Sequence, residues 1–141
     1  MDITCNILSK AEFEQALAIR LTVFVDEQKV PLEEERDTYD DTAIHFGAFV
    51  GDLMVATGRL IIDGDKGKIG RMAVLKAYRG SGIGLALLGE IVRHCQAINL
   101  TQAYLSSQTH AIPFYKKAGF ITEGEIYQDA GIPHKTMRKS L

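Results

Sequence analysis

The segment Ile69–Leu88, IGRMAVLKAYRGSGIGLALL, decides how the rest of the chain is interpreted. It begins with a short apolar run typical of a strand and ends with large apolar residues at three- and four-residue steps, which predict a helix. Between them lies the hexapeptide Arg79–Gly84, RGSGIG, with three alternating glycines. Because glycine lacks a Cβ and the first helical amides have no partner in their own helix, a ligand can approach this backbone closely. The loop is therefore a candidate anion site, to which Arg79 adds a cation suited to phosphate.

Other interpretations of the loop compete with this one. The plainest is a glycine-rich turn without a ligand. A Rossmann dinucleotide fingerprint would need a glycine where Leu85 stands and an acid about 20 residues on, where Tyr104 stands. A nucleotide P-loop would need Gly-Lys-Ser/Thr after the glycines, and this sequence lacks it.

Two motifs together resemble one family. Arg79–Gly84 resembles the R/Q-x-x-G-x-G/A signature of the GNAT superfamily of N-acetyltransferases, and Ala111–Phe120, AIPFYKKAGF, resembles its later A-x-x-F-Y-x-x-x-G-F segment. Val23–Gln28, VFVDEQ, is also similar to the V-F-V-x-E-Q of a bacterial subgroup with poorly defined substrates. The resemblance covers nearly the whole chain, so we expect a single N-acetyltransferase domain over residues 1–141.

The resemblance implies that acetyl-coenzyme A is the acyl donor. Its pantetheine arm would pair with the backbone before the glycine loop as an added partial strand, and its pyrophosphate would lie on the loop amides. Gln108 departs from the family pattern, because many members have asparagine there. The cofactor residues that the resemblance implies are Met72, Ala73, Val74, Arg79, Gly80, Ser81, Gly82, Ile83, Gly84, Gln108 and Phe114.

The resemblance also implies acetyl transfer to a primary amine with Tyr115 as the general acid, and we expect the acceptor to be a small molecule. A lysine-like amine has a pKa of about 10.4, so almost all of it is protonated at pH 7 and a general base would help. Family members often carry a carboxylate on the strand that here has Gly70 and Arg71. The base is therefore left open among Glu27, His110 and His134.

The segment Asp26–Asp41 is rich in acids and has two interpretations. It is either a solvated face that begins a short helix after Pro31, or an acidic wall that attracts a cationic amine. The residues proposed for the acceptor site are Glu27, Asp37, Asp40, His110 and His134. Two other functions stay open: a non-catalytic module that binds or senses coenzyme A, and a protein-lysine acetyltransferase.

The order of segments predicts an α+β, or mixed α/β, fold of the order β α (α) β β β α β α β β. The sheet should be mixed and mostly antiparallel, with about six or seven strands flanked by helices. Ser9–Glu12 has the form of a capping box that starts the first helix, where Leu21 should continue the apolar stripe and Arg20 should lie at the surface. The strand–helix–strand link between Ile69–Leu75 and Ala103–Ser107 implies parallel pairing, with the cofactor between these strands.

Composition narrows the remaining choices. For a chain of 141 residues, a net charge of −2 argues against a general affinity for nucleic acid or anionic membranes. Cys5 and Cys95 are too few for a disulfide framework, so we expect a cytoplasmic protein. The sequence has no cluster of metal-ligand residues, so we expect no metal. Edge strands at Phe120–Tyr127 and Lys135–Ser140 leave a homodimer open.

Overall fold

A computed structural model describes residues 2–141 and has the expected mixed α+β architecture. Seven strands form one sheet in the order β1-β2-β3-β4-β5-β7-β6. The strands are β1 (Ile3–Ile7), β2 (Ile44–Val50), β3 (Leu53–Asp63), β4 (Lys66–Val74), β5 (Gln102–Gln108), β6 (Ile121–Asp129) and β7 (Ile132–Ser140). The helices are α1 (Lys10–Arg20), α2 (Leu32–Glu35), α3 (Ile83–Ala97) and α4 (Ile112–Lys117), with a π-helix at Leu21–Glu27 and short 3-10 turns at Thr38–Asp41, Lys76–Tyr78 and Thr109–Ala111.

The first helix begins as its sequence predicts and continues differently. The Ser9 side chain accepts a hydrogen bond from the amide of Glu12, and the Glu12 side chain accepts one from the amide of Ser9, which completes the capping box. The chain then widens into the π-helix instead of continuing as an α-helix. The expected apolar stripe is wrong at Leu21, which is exposed, because the wider turn shifts the inward face to Val23.

The sheet is antiparallel except at one pair of strands. Gly51 and Asp52 form the predicted two-residue turn between β2 and β3, and Gly51 has the positive φ of 60° that suits glycine at that position. The strand–helix–strand connection through α3 makes β4 and β5 parallel, as expected. The single parallel pair therefore lies in the middle of the sheet, next to the glycine loop.

Helices cover both faces of the sheet. Consecutive side chains of a strand point to opposite faces, and Ala73 and Val74 belong to different hydrophobic clusters. The cluster of Ala73 includes Ala16 and Ile19 of α1, whereas that of Val74 includes the buried apolar side of α3. Both clusters therefore meet at the end of β4, which holds that strand firmly where it leads into the glycine loop.

The C-terminal strands differ in part from the prediction. β7 lies between β5 and β6, so Lys135–Ser140 is an internal strand and the expectation of an edge there is wrong. β6 is the edge strand, and it exposes Ile121 and Ile126. A homodimer through β6 stays a prediction. Across residues 2–141, no helix combines the length and the apolar character needed to cross a membrane.

Candidate active site

The parallel strands β4 and β5 separate partway along their length. Their pairing runs from Lys66 with Gln102 to Ile69 with Leu105 and then ends. Beyond it, β4 continues to Val74, still paired with β3 on its other side, and β5 continues to Gln108. The gap leaves the β5-facing edge of Gly70–Val74 without a neighbouring strand, so its backbone can accept an extended ligand.

A β-bulge accompanies the separation. On β3 one residue, Gly58, stands between the paired residues Thr57 and Arg59, whereas on β4 two residues, Arg71 and Met72, stand opposite it. Arg71 has a φ of 52°, an uncommon value for a residue with a side chain. Bulges twist and bend a strand, and they occur frequently beside active sites. The bulge therefore helps to turn β4 away from β5.

The glycine loop connects β4 to α3. Gly80 and Gly82 have φ values of 79° and 85°, a region that side chains disfavour, and a Cβ at either would meet no atom within 4 Å. Gly82 is the N-cap of α3, and no side chain caps the helix. The first amides of α3 are therefore available for an anion at the positive end of the helix dipole.

Gly84, the last glycine of the loop, lies against side chains of α4 and β4. A Cβ on Gly84 would lie 3.1 Å from Cε1 of Phe114 and 3.6 Å from Cγ2 of Val74. The absence of a side chain therefore lets α4 pack against α3 through Phe114. The predicted role of Gly84 in binding the cofactor stays a prediction.

Arg79 forms two hydrogen bonds within the protein. Its Nε donates to the carbonyl oxygen of Val74 at 2.9 Å, and its Nη2 donates to Oε2 of Glu27 at 2.7 Å. Glu27 is thus an ion-pair partner of the loop arginine and lies outside the lining of the cleft described next. This position corrects its assignment to the acceptor site.

A cleft of about 1080 Å³ joins the strand gap to the glycine loop. The predicted cofactor residues that line it are Met72, Ala73, Val74, Arg79, Gly80, Gly82, Gly84, Gln108 and Phe114. Two predicted cofactor side chains lie elsewhere: Ser81 donates a hydrogen bond to the carbonyl of Tyr78, and Ile83 is buried in the core. Of the predicted acceptor residues, Asp37, His110 and His134 line the cleft.

Tyr115 lies in α4 and lines the same cleft. Its ring packs edge-on against Phe114 and Phe120, with centroid distances of 5.0 and 6.2 Å. Burial raises the pKa of the Tyr115 hydroxyl to about 12. The hydroxyl therefore stays protonated at neutral pH and has a proton to donate.

The acidic segment after the π-helix is folded around arginines. Arg20 is buried, and its guanidinium bonds both carboxylate oxygens of Asp40, at 2.8 and 3.1 Å, as well as the carboxylate of Glu35. Arg59 donates to Asp40 from the other side at 3.0 Å. The predictions of a surface Arg20 and of an acceptor-binding Asp40 are both wrong, because these side chains satisfy each other in the interior.

The outer part of this ion network borders the cleft. Asp37 accepts hydrogen bonds from Arg59 at 2.7 Å and from Arg71 at 3.3 Å, and Arg71 also donates to the backbone carbonyl of Glu35 at 3.0 Å. Neither interpretation of the acidic segment is therefore complete. Three of its carboxylates, Glu35, Asp37 and Asp40, are matched by three arginines, and the network holds α2 beside the cleft.

Polar residues connect the two walls of the cleft. The side-chain amide of Gln108, at the end of β5, donates to Oε1 of Gln28, just after the π-helix, at 2.6 Å. Its oxygen lies 2.6 Å from Nε2 of His110. Sequence reasoning did not select Gln28, although it ends the VFVDEQ segment that carries the subgroup resemblance. Within residues 2–141, no group of three or more His, Cys, Asp or Glu side chains is arranged to hold a metal ion.

A strand gap, a glycine-lined helix start and a tyrosine on the following helix together define an acyltransferase of the acetyltransferase class. The chain belongs to the GNAT acetyltransferase family, because a family model described as an acetyltransferase (GNAT) domain matches residues 9–141.

Individual relatives agree with this assignment. The chain is 35% identical to the uncharacterised N-acetyltransferase YjcF of Bacillus subtilis (strain 168) over 132 residues, which cover 93% of this chain and 94% of that protein. The crystal structure of an acyl-CoA N-acyltransferase from Pseudomonas aeruginosa superimposes with a TM-score of 0.84 at 33% identity, covering 98% of both chains. The crystal structure of Escherichia coli ElaA gives a TM-score of 0.84 at 29% identity, again over 98% of both chains.

Proposed function

We propose that the protein transfers an acetyl group from acetyl-coenzyme A to the primary amine of a small molecule. The observation that carries the proposal is the gap between β4 and β5, which ends beside the glycine loop. The gap offers an unpaired strand edge to the peptide-like pantetheine, and the loop offers amides to the pyrophosphate. The similarity to the acyl-CoA N-acyltransferase of Pseudomonas aeruginosa supports an acyl-coenzyme A donor.

In the proposed reaction, Tyr115 is the general acid. The neutral amine nitrogen attacks the thioester carbonyl carbon, a C–N bond forms, and the C–S bond breaks. The departing sulfur takes the phenolic proton of Tyr115, and the phenolate regains a proton from the product nitrogen, directly or through water. Two observations support this role: Tyr115 lines the cleft, and its pKa is raised. The hydroxyl is therefore protonated and can donate its proton to the leaving thiolate.

The ion network weighs against a basic protein as the acceptor. An acidic segment would suit a basic protein substrate, but Glu35, Asp37 and Asp40 are neutralised by Arg20, Arg59 and Arg71. The exposed acids that line the cleft on this segment are Glu33 and Glu34. A small amine therefore fits the site better than an extended cationic chain.

The first test is thermal unfolding with and without acetyl-coenzyme A, in the wild type and in Gly82→Glu. At 100 times Kd the bound ligand adds about 2.7 kcal/mol, which raises Tm by several degrees. The variant should lose this shift, because its side chain occupies the anion site.

Gly64→Glu is the matched control. Gly64 also has a positive φ, 62°, with no atom within 4 Å of a Cβ, but it lies outside the cleft lining. It should melt lower than the wild type and keep the shift. An acceptor screen with primary amines then follows, and a wild type that melts cooperatively without any shift at millimolar ligand would overturn the proposed donor.

A further inference from the structure

The proposed reaction needs a group that removes the proton from the acceptor amine, and three candidates came from the sequence. Two of them are weaker candidates. Glu27 forms an ion pair with Arg79 and does not line the cleft. His110 lines the cleft but is exposed, and its contact is the side chain of Gln108, which can present either an oxygen or a nitrogen to it.

His134 has a fixed protonation pattern. It is buried in β7, and its Nδ1 lies 2.7 Å from the backbone carbonyl oxygen of Ile132. A carbonyl oxygen can only accept, so Nδ1 carries the hydrogen and the neutral ring has its lone pair on Nε2. Within the described residues, Nε2 has no hydrogen-bond partner, and the residue lines the cleft. The free acceptor of the ring is therefore available to a ligand.

Neighbouring residues also hold the ring in place. Tyr127 stacks on His134 with centroids 6.1 Å apart and planes 23° from parallel, and the Tyr127 hydroxyl is hydrogen-bonded to Ser106 of β5. Across the sheet, His134 is paired with Gln108, the last residue of β5. These contacts place the imidazole beside the end of β5, one of the two strands that border the gap, and within the lining of the cleft.

We propose that His134 is the general base of the acetyl transfer, and this inference rests on the proposed function. The acceptor enters as an ammonium ion and gives one proton to Nε2, which leaves a neutral nitrogen to attack the thioester. After the C–S bond breaks, the imidazolium releases its proton to solvent. Together with the proton that reaches the sulfur through Tyr115, the reaction converts an ammonium ion and acetyl-coenzyme A into an amide, free coenzyme A and one proton.

The Ile132 carbonyl and the Tyr127 ring are positioning groups in this scheme, because they act through His134. Other titratable groups come from the elements around this part of the cleft, and none forms a hydrogen bond or ion pair with His134 in the part of the chain that the structure describes. They are Lys68 of β4, His110 after β5, Tyr115 and Lys117 of α4, and Tyr127 and Asp129 of β6.

The sharpest variant is His134→Asn. The asparagine amide nitrogen can replace Nδ1 as donor to Ile132, but the side chain has nothing in place of Nε2. With n-butylamine as acceptor at pH 7, kcat/KM should fall by about 100-fold. The deficit should shrink as the pH rises toward the pKa of the amine, because more of the acceptor is then already neutral. With hydroxylamine, which is largely neutral at pH 7, the deficit should be small from the start.

The matched control is His94→Asn. His94 is half-buried on α3, packs edge-on against Phe46 with centroids 5.6 Å apart, and lies outside the cleft lining. Its variant should show wild-type kinetics with both acceptors. An equal loss for His134→Asn with both acceptors at every pH would indicate a structural role and overturn the proposal, as would an unchanged rate.

A second measurement does not depend on turnover. Long-range ¹H–¹⁵N NMR correlations of the free protein distinguish the two neutral tautomers, and His134 should carry its hydrogen on Nδ1. A hydrogen on Nε2 overturns the base assignment even if acetyl transfer is confirmed. A wild type that transfers to neither amine, with the expected tautomer, overturns the proposed function instead, so the two failures are distinguishable.

Discussion

The guanidinium of Arg20 and the carboxylate of Asp40 form a two-pronged contact in the protein interior, with Nη1 2.8 Å from Oδ1 and Nη2 3.1 Å from Oδ2. This contact joins the end of α1 to the turn at Thr38–Asp41. Because the chain between them includes α2, which lines the cleft, the ion pair fixes one wall of the candidate active site.

Replacing Arg20 should lower the free energy of unfolding substantially. Arg20→Met leaves Asp40 and Glu35 as buried charges without their main partner, which typically destabilises a protein by about 3–5 kcal/mol. Urea unfolding at pH 7 measures the loss. Arg93→Met is the control, since Arg93 pairs with Glu90 on the surface and its removal should leave the midpoint unchanged. Equal midpoints for Arg20→Met and the wild type would contradict the buried network.

The same contact predicts a dependence on acid. Burial raises the pKa of Asp40, but the hydrogen bonds and charges of Arg20 and Arg59 outweigh it and lower the pKa from 3.8 to about 2. The stabilisation is therefore complete above the unfolded pKa and is lost as the pH falls through about 2. The difference in unfolding free energy between wild type and Asp40→Asn should be constant from about pH 7 to 5 and shrink by about 2 kcal/mol toward pH 2. A difference that stays constant down to pH 2 would show that Asp40 gains nothing from its ionisation.

Tyr115→Phe tests the general acid. It should lower kcat by about 100-fold, whereas the thermal shift with acetyl-coenzyme A should stay the same, because the ring is retained. Since the pKa of Tyr115 is about 12, kcat of the wild type should not decline between about pH 7 and 10 through loss of this proton. Tyr104→Phe, outside the cleft lining, is the control with normal turnover. Full activity of Tyr115→Phe would exclude the role.

Two glycines of α3 should respond in opposite ways to alanine. Gly89 has no atom within 4 Å of a Cβ, so Gly89→Ala should stabilise the helix by about 0.5–1 kcal/mol. Gly84→Ala should instead lower the stability and bind acetyl-coenzyme A more weakly, because its methyl group would press on Phe114. Chemical unfolding and calorimetric titration measure the two effects. Combining Gly84→Ala with Phe114→Leu should restore stability, and a purely additive double variant would rule out the contact.

Glu27 should oppose the binding of the cofactor phosphates. Its carboxylate is bonded to Arg79 beside the glycine loop, so Glu27→Gln removes a negative charge next to the anion site. We expect acetyl-coenzyme A to bind about two- to fivefold more tightly at low salt, with the effect fading near 1 M salt as the charges are screened. Glu123→Gln on β6 makes the same change in net charge far from the loop and should leave Kd unchanged. Weaker binding by Glu27→Gln would mean that Glu27 orients Arg79 for the ligand.

Local rules explain why much of the fold is predictable. The Ser9 capping box, the Gly51–Asp52 turn and the crossover through α3 each depend on a few adjacent residues, and all are confirmed. The glycine loop is predictable for the same reason, because its positive φ values at Gly80 and Gly82 require glycine. Family membership followed from two short motifs and is confirmed by the match over residues 9–141.

The remainder of the site depends on contacts between distant residues. Arg20 and Asp40, or Gln28 and Gln108, are separated by 20 and 80 residues, and no periodic pattern connects them. The charge of the acidic segment along the sequence does not reveal its ion pairs, because its partners Arg20, Arg59 and Arg71 lie in three other elements. The tautomer of His134 likewise depends on how β7 presents the Ile132 carbonyl, which composition does not reveal.

Because Leu21–Glu27 forms a π-helix, the number of residues in this segment determines which way the residues after it face. Inserting one residue, for example after Thr22, would rotate the part of the helix that follows it by about 100°. Gln28 would then face away from Gln108, and Glu27 away from Arg79. Substitutions at the exposed Leu21 should be tolerated, whereas single-residue insertions nearby should abolish activity even if the protein still folds.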